Sequence, residues 1–236
     1  MDIREIVARR TDLGTFLVHL TRGDTPRENL QQILAARQIE ARNPFGQAIA
    51  SLQGGGLPTA SQRCVCFTET PLEHTHLLLA EIDLRAIQLQ PYGIALPKKM
   101  GRAMGINPVW YLDMSPGPHE WLTRPFNSII DSEIAAGTFA GSDIEKLAPF
   151  VEQMGTNRAI AFRKEFWWER EWRIRGHFVL PHRVIVLCPE EEMAAFGRLV
   201  AESDGRLEAS FVDPRWGLEQ IIARLAQFSA DDTDML

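Results

Sequence analysis

The sequence predicts an α+β fold with a mixed β-sheet core flanked by helices. Segments rich in apolar and β-branched residues, such as TFLVHLT (15–21) and RVIVLCP (183–189), are typical of strands. Apolar residues recur at helical spacing in GDTPRENLQQILAARQI (23–39). With 236 residues, 45% of them hydrophobic, the chain can bury a sizeable core. We therefore expect a single domain over residues 1–228, followed by an acidic, disordered tail at 229–236.

The first half of the chain is expected to alternate helices and strands. In chain order it contains a short helix to about Arg10, the strand 15–21, the helix 23–39, a glycine-rich loop at 51–63, the strand CVCFTET (64–70) and the helix PLEHTHLLLAEIDLRAI (71–87). The helix 23–39 has the clearest start, because Asp24 or Thr25 can cap it and Pro26 suits its first turn. The loop SLQGGGLPTASQR is interpreted as a surface loop or, alternatively, as a mobile lid.

The second half is expected to contain more strands. The predicted elements are a strand, a short helix and a strand in YGIALPKKMGRAMGINPVWYLD (92–113), strands in FWWEREWRIRGHFVL (166–180), RVIVLCP and EASFVD (208–213), and amphipathic helices in EEEMAAFGRLVAES (190–203) and WGLEQIIARLAQF (216–228). Between residues 114 and 154, proline and glycine interrupt the helical patterns, so this region is assigned no elements.

Charge and composition argue against several classes of protein. The net charge of −6 disfavours a strongly basic surface for nucleic acid, although a local basic patch at Arg170, Arg173 and Arg175 stays open. No apolar run approaches the roughly 20 residues that cross a bilayer. The first residues lack the apolar core of a signal peptide. We therefore expect a cytoplasmic protein with no membrane contact.

Familiar cofactor and nucleophile motifs are missing. The sequence has no GxxxxGK[ST], no GxGxxG after a strand and no GxSxG, which disfavours nucleotide kinases and Rossmann dehydrogenases. Three cysteines are too few for a disulfide framework. No metal site is expected, because His74 and His76 would lie on different faces of a helix and so would not join Cys64 and Cys66 around one ion.

Side chains suited to chemistry pair up on three predicted strands: His19 with Thr21, Phe67 with Thr68, and Glu169 with Glu171. Residues i and i+2 of a strand point to the same face, so the first and last pairs are each predicted to share a face. Two interpretations stay open. The polar residues form a functional site, or the histidine is a hydrogen-bonded core residue and the glutamates form a salt-bridge lattice with neighbouring arginines.

Four segments carry a resemblance to a known family: FLVHLTRGD…NLQQIL, CVCFTETPLEHT, YGIALPKKMGRAMGINPVWYL and FWWEREWRI. Together they resemble the AbiGi-type abortive-infection family, and they extend in the expected order from about Phe16 to Arg175. The resemblance implies a role in phage defence or in a toxin–antitoxin system, with a cognate toxin or antitoxin as partner. It does not define a reaction.

A more remote resemblance carries chemistry. A strand ending in His-x-Thr before a helix is similar to the opening of DNA-modifying ADP-ribosyltransferase toxins (DarT-like) and of RNA 2′-phosphotransferases, and it implies a split, mixed sheet with NAD as substrate. The implied NAD contacts are His19 and Thr21 on the adenosine-side ribose and the nicotinamide amide, Arg22 on the pyrophosphate, and Phe67 or Tyr92 on the nicotinamide ring, with Thr68 nearby.

Carried over in the same way, Glu171 is the catalytic carboxylate. Cleavage of the nicotinamide–ribose bond builds an oxocarbenium-like cation, which a carboxylate hydrogen-bonded to the ribose 2′-hydroxyl stabilises. Glu169 would orient or deprotonate the acceptor. We expect the strands that carry His19, Phe67 and Glu171 to meet at one cleft. In this chain the glutamate lies within REWR, which departs from its usual surroundings in those transferases.

Two classes of function follow. The first is an NAD-dependent ADP-ribosyltransferase or NAD glycohydrolase, with nucleic acid or protein as acceptor. The second is a non-catalytic antitoxin or sensor that binds a nucleotide ligand or a partner protein. A metal-dependent nuclease is less well supported, because its candidate ligands have no recognisable spacing: Asp131, Glu133, Asp143 and Glu145.

Overall fold

The computed structural model describes residues 10, 12–81, 88–115, 122–157, 162–203 and 205–227. Its helices are α1 (Pro26–Ala36), α2 (Ile49–Gly54), α3 (Thr75–Leu79), α4 (Lys98–Ala103), α5 (Thr123–Ala135), α6 (Asp143–Leu147), α7 (Met193–Ala201) and α8 (Leu218–Leu225). Its strands are β1 (Phe16–Arg22), β2 (Gln38–Ile39), β3 (Asn43–Pro44), β4 (Arg63–Thr68), β5 (Leu89–Pro97), β6 (Asn107–Pro108), β7 (Trp110–Asp113), β8 (Val151–Asn157), β9 (Phe162–Lys164), β10 (Glu171–Arg175), β11 (Phe178–Val179), β12 (Arg183–Leu187) and β13 (Glu208–Val212). Short 3₁₀ turns lie at Ala60–Gln62, Leu72–His74, Ala148–Phe150, Trp167–Glu169 and Glu190–Glu192. The fold is α+β with a mixed sheet, as the sequence predicts.

The chain divides into two compact units, each assembled from separate stretches of sequence. Unit 1 contains Met1–Ile39, Phe67–Met104 and Val179–Leu236, and unit 2 contains Glu40–Cys66 and Gly105–Phe178. The division falls within β4, whose last two residues belong to unit 1. The single domain expected over residues 1–228 stays a prediction.

Unit 1 is built on a sheet in which β13, β12, β5 and β1 are neighbours in that order, and the end of β4 pairs with β1. The β12–β13 pair is parallel, whereas β12–β5 and β5–β1 are antiparallel. One face of the sheet contributes to a core cluster of Val18, Leu20, Leu72, Leu78, Ala95, Ile185, Leu187, Val212 and Ile221.

Glycine is required where β5 passes β1. A Cβ atom at Gly93 would lie 2.1 Å from the backbone oxygen of His19, closer than any side chain tolerates. This contact fixes β5 against the strand segment that carries His19 and Thr21.

The helix predicted with the clearest start is confirmed as α1. Pro26 occupies its first turn, and Leu30, Ile33 and Leu34 are buried along one face. Thr25 is the N-cap residue, although its side chain makes no capping hydrogen bond. The helix ends where Arg37 adopts a left-handed conformation with φ of 51°.

Unit 2 contains two groups of strands. In the first, β10 lies between β4 and β6, and β3 pairs with β4. In the second, β7 and β8 are parallel and β8 and β9 are antiparallel. Helices α2 and α5 pack around a small core of Ala48, Leu52, Ile130, Phe139 and Ala148. Helices and a strand therefore form in the 114–154 region that the sequence left unassigned.

Two predicted elements in the first half need correction. The glycine-rich segment 51–63 is not a continuous loop, because α2 extends to Gly54 and a 3₁₀ turn occupies Ala60–Gln62. The predicted helix 71–87 is shorter in the described part of the chain. It comprises a 3₁₀ turn and α3, and the backbone at Ala80 is extended.

The helix expected before Arg10, residues 82–87 of the predicted helix and the acidic tail at 229–236 lie outside the described residues. Within the part of the chain that the structure describes, no helix is long and apolar enough to cross a membrane.

Candidate functional site

His19 and Phe67, predicted to belong to one site, are neighbours in unit 1. Their ring centroids are 5.8 Å apart and their planes are inclined by 59°. His19 is partly exposed on β1, where it pairs with Ile94 of β5. Phe67 is only 2% exposed and ranks among the largest buried side chains. Phe67 is therefore a core residue whose ring packs against His19. Little of the surface of the Phe67 ring can receive a nicotinamide ring.

Thr21 has a local structural partner. It is 4% exposed, and its hydroxyl donates a hydrogen bond to the backbone oxygen of Pro26 at 3.1 Å. The pairing register of β1 with β5 shifts between Leu20 and Arg22. The regular alternation that predicted a shared face for His19 and Thr21 is therefore interrupted at Thr21.

Arg22 and Thr68 are partly exposed at the ends of β1 and β4. The backbone oxygen of Arg22 accepts a hydrogen bond from the amide of Asn29 in α1 at 3.3 Å. The hydroxyls of Thr68 and Thr70 lie 2.8 Å apart, and the backbone N–H of Thr70 donates to Thr68 at 3.3 Å. Both predicted residues are thus tied into the turns that follow their strands.

Tyr92, the other aromatic candidate, belongs to a polar network that the sequence did not indicate. Its hydroxyl donates to Oε1 of Glu192 at 2.5 Å, and Arg27 of α1 donates to Oε2 of the same carboxylate. Partial burial, and after it the bond to Glu192, raises the pKa of Tyr92 to about 12. Partial burial would raise the pKa of Glu192, but the hydrogen bonds from Tyr92 and Arg27 lower it. Tyr92 is partly exposed, so of the two aromatic candidates it has the more accessible ring.

Glu169 and Glu171 do not lie on one strand, and the prediction that they share a face is wrong. Trp167–Glu169 forms a 3₁₀ turn, and β10 begins only at Glu171. Between them, Arg170 is left-handed with φ of 46°. This conformation breaks the extended backbone on which the period of two depends.

The carboxylate of Glu171 is held by a buried guanidinium in unit 2. Arg173 is 1% exposed. Its Nε donates to Oε1 of Glu171 at 2.9 Å, and its Nη2 donates to Oε2 at 2.7 Å. This bidentate fork is the strongest geometry for such a pair. The salt-bridge lattice that the sequence left open is therefore present at Glu171.

Arg173 has further partners that complete its surroundings. Nη2 also donates to Oε2 of Glu152 at 2.6 Å, and Nη1 donates to the backbone oxygen of Pro149 at 2.6 Å. The guanidinium carbon lies 4.9 Å from the ring centroid of Phe45. Burial alone would lower the pKa of Arg173, but the two carboxylates raise it well above its ordinary value. The guanidinium is permanently charged.

The carboxylate of Glu152 is shared between Arg173 and Lys164. Lys164 donates to Oε1 of Glu152 at 2.5 Å. Burial acts to raise the pKa of Glu152, but the charges of Arg173 and Lys164 outweigh it and lower that pKa. Glu152 was not foreseen, because it lies in the region that the sequence left unassigned.

The backbone of Glu171 is fixed as well. Its N–H donates to the hydroxyl of Tyr111 at 2.7 Å, and its carbonyl accepts from the N–H of Val109 at 2.8 Å. The ring of Tyr111 meets that of Trp167 edge to face, with centroids 5.7 Å apart. Burial, reinforced by the charge of Glu171, raises the pKa of the nearby Cys66 thiol well above its ordinary value. The thiol is therefore held in its protonated form beside Glu171.

The structure records three local groups among the predicted residues. The structure brings His19 to Phe67, places Tyr92 against Glu192, and joins Glu171 to Arg173. The six predicted NAD-binding residues belong to unit 1, and both predicted catalytic glutamates belong to unit 2. That the predicted NAD-binding residues and the predicted catalytic glutamates meet in one cleft stays a prediction. Among the residues that the structure describes, no group of three or more His, Cys, Asp or Glu side chains is arranged to hold a metal ion.

Comparison with models of protein families, with curated proteins and with solved structures finds no match to this chain.

Proposed function

We propose that this protein binds NAD and either transfers its ADP-ribose to nucleic acid or protein or hydrolyses it, as part of a phage-defence or toxin–antitoxin system. Its fold is proposed to be of the ADP-ribosyltransferase type. The proposed NAD contacts are His19, Thr21, Arg22, Thr68 and an aromatic ring at Tyr92 or Phe67. Glu171 is the proposed catalytic carboxylate, with Glu169 directed towards the acceptor.

The observation that best supports this proposal is the fixed geometry of Glu171. A carboxylate that stabilises an oxocarbenium-like cation works best when it is ionised and oriented before the substrate arrives. The fork from Arg173 holds the carboxylate of Glu171 in one orientation. The side chain of Glu171 is 19% exposed, so part of its carboxylate can be reached by a ribose hydroxyl.

Burial supports one of the two aromatic candidates. A nicotinamide ring stacks on an accessible aromatic face. Phe67 is 2% exposed and Tyr92 is partly exposed, which favours Tyr92 for that role. Phe67 would instead pack against the ring of His19.

A second function, a non-catalytic antitoxin or sensor, is favoured by one feature of the same residues. Both oxygens of Glu171 accept from Arg173 in a closed lattice, an arrangement that also serves structure alone. In that case the fold would bind a nucleotide ligand or a partner protein without turnover.

The test is incubation with labelled NAD, with mass analysis of the protein and of added DNA and RNA. The proposal predicts release of nicotinamide and either an ADP-ribose adduct or free ADP-ribose. NAD bound to the folded state should also stabilise it, by about 2.7 kcal/mol at a hundredfold excess over Kd. Stabilisation without nicotinamide release would favour the sensor. No stabilisation at millimolar NAD would contradict both ADP-ribose transfer and NAD hydrolysis, and would favour the non-catalytic module.

A pair of histidine variants makes the binding test specific. His19→Ala should abolish the stabilisation by NAD, whereas His182→Ala should leave it unchanged, because His182 is an exposed residue beside Glu208. If His19→Ala lowered the melting temperature equally with and without NAD, His19 would be a structural residue only.

A further inference from the structure

Four charged side chains of unit 2 form a continuous chain of ion pairs: Lys164, Glu152, Arg173 and Glu171. Two are cations and two are carboxylates, so their formal charges cancel. Arg173 is almost fully buried, while Glu152 and Glu171 are 16% and 19% exposed. Screening by water is therefore weak between the members of this cluster.

One nitrogen links the two carboxylates. Nη2 of Arg173 donates to Oε2 of Glu152 at 2.6 Å and to Oε2 of Glu171 at 2.7 Å. The positive charge of Arg173 is consequently shared. A change of charge at Glu152 must alter how strongly the guanidinium neutralises Glu171.

We propose that Glu152 is a positioning residue for Glu171, sharing Arg173 so that Glu171 keeps enough negative charge to stabilise a cationic reacting group. This inference rests on the proposed function. Without the charge of Glu152, the four-residue cluster carries a net charge of +1 beside the developing oxocarbenium-like cation. That charge disfavours the transition state, but it does not weaken binding of NAD, whose pyrophosphate is anionic.

The expected effect therefore falls on turnover and not on binding. Glu152→Gln keeps the shape of the side chain and should lower kcat for nicotinamide release about tenfold, with KM for NAD changed by less than about twofold. Lys164→Gln shifts the net charge of the cluster in the opposite direction and should raise kcat about threefold. Glu208→Gln, which removes an exposed carboxylate in unit 1, is the control and should behave as the wild type.

Restoring the charge balance provides the decisive readout. The double variant Glu152→Gln with Lys164→Gln has a neutral cluster again and should recover most of the lost turnover. A purely structural role for Glu152 predicts that the double variant turns over NAD more slowly than Glu152→Gln, because the double variant has lost more hydrogen bonds. Circular dichroism of each variant verifies that it is folded.

The outcomes separate this inference from the proposed function. A wild-type protein that releases no nicotinamide would overturn both. An active wild type with an unchanged Glu152→Gln, or with a double variant no better than Glu152→Gln, would overturn the positioning role alone. Should Glu152→Gln not fold, Lys164→Gln still decides, because Lys164 is 32% exposed and a fall in its kcat would contradict the proposal.

Discussion

Replacing Arg173 by methionine should destabilise the protein by about 3 to 5 kcal/mol, the usual cost of removing one partner from a buried ion pair. Methionine fills most of the aliphatic volume of arginine but supplies none of its donors. The variant loses two hydrogen bonds to Glu171, one to Glu152 and one to the backbone oxygen of Pro149. The two carboxylates are partly exposed and Glu152 keeps Lys164, so the cost should not exceed this range.

The same variant should respond to pH in a characteristic way. In the wild type, the pKa of Glu152 is lower in the folded protein than in the unfolded chain. Glu152 therefore contributes stability above its unfolded pKa of about 4.3, and that contribution is lost as pH falls through the lower folded pKa. Without Arg173, burial of Glu152 is opposed only by Lys164. The difference in stability between wild type and variant should therefore shrink as the pH falls below about 4.

Urea denaturation followed by circular dichroism at pH 7 and at about pH 3 measures both effects. Arg175→Met is the matched control, because Arg175 is partly exposed on the same strand and should cost less than about 1 kcal/mol. A loss below about 1 kcal/mol for Arg173→Met at pH 7, or a loss that does not depend on pH, would refute the electrostatic account of the cluster.

Two further substitutions test unit 1. Tyr92→Phe removes the hydrogen bond to Glu192 and should lower the free energy of unfolding by about 1 kcal/mol. The variant retains the aromatic ring, so stabilisation by NAD should persist. A loss of that stabilisation would show that the hydroxyl group contacts NAD. Gly93→Ala places a Cβ atom 2.1 Å from the backbone oxygen of His19 and should lower the free energy of unfolding by about 2 kcal/mol or more. NAD binding should weaken as well, because the clash displaces β1. A variant with an unchanged melting temperature would contradict the tight β1–β5 contact.

Much of the secondary structure was predictable because it depends on local signals. Pro26 and the spacing of Leu30, Ile33 and Leu34 sufficed for α1. The apolar runs at 64–70 and 183–189 likewise predicted β4 and β12 correctly. The spacing of apolar residues within one segment shows which side of a helix or strand is buried. It can therefore be detected in a single sequence.

The error at Glu169 has a local physical cause. The run FWWEREWRI has the composition of a strand, but Arg170 adopts a left-handed conformation that sequence reasoning expects of glycine or asparagine. The turn it creates moves Glu169 off the strand that holds Glu171. No residue type in the sequence signals this change.

The partners of Glu171 could be predicted only in part. Arg173 was a candidate because it lies two residues away on the same strand. Glu152 and the backbone oxygen of Pro149 come from a distant segment, and their approach to Arg173 depends on how β8 and the preceding turn pack in unit 2. Such contacts follow from tertiary structure, which the spacing of residues within one segment does not encode.

The central claim, that Glu171 is a catalytic carboxylate, is tested most directly by nicotinamide release from NAD by wild type and Glu171→Gln, with NAD binding and melting temperature measured on the same samples. Glutamine keeps the shape and most contacts of the free state but removes the charge, so the account predicts turnover lower by about a hundredfold or more while NAD still binds. A Glu171→Gln protein that is destabilised yet turns over NAD as the wild type does would contradict the claim and leave the pair with Arg173 as a structural salt bridge.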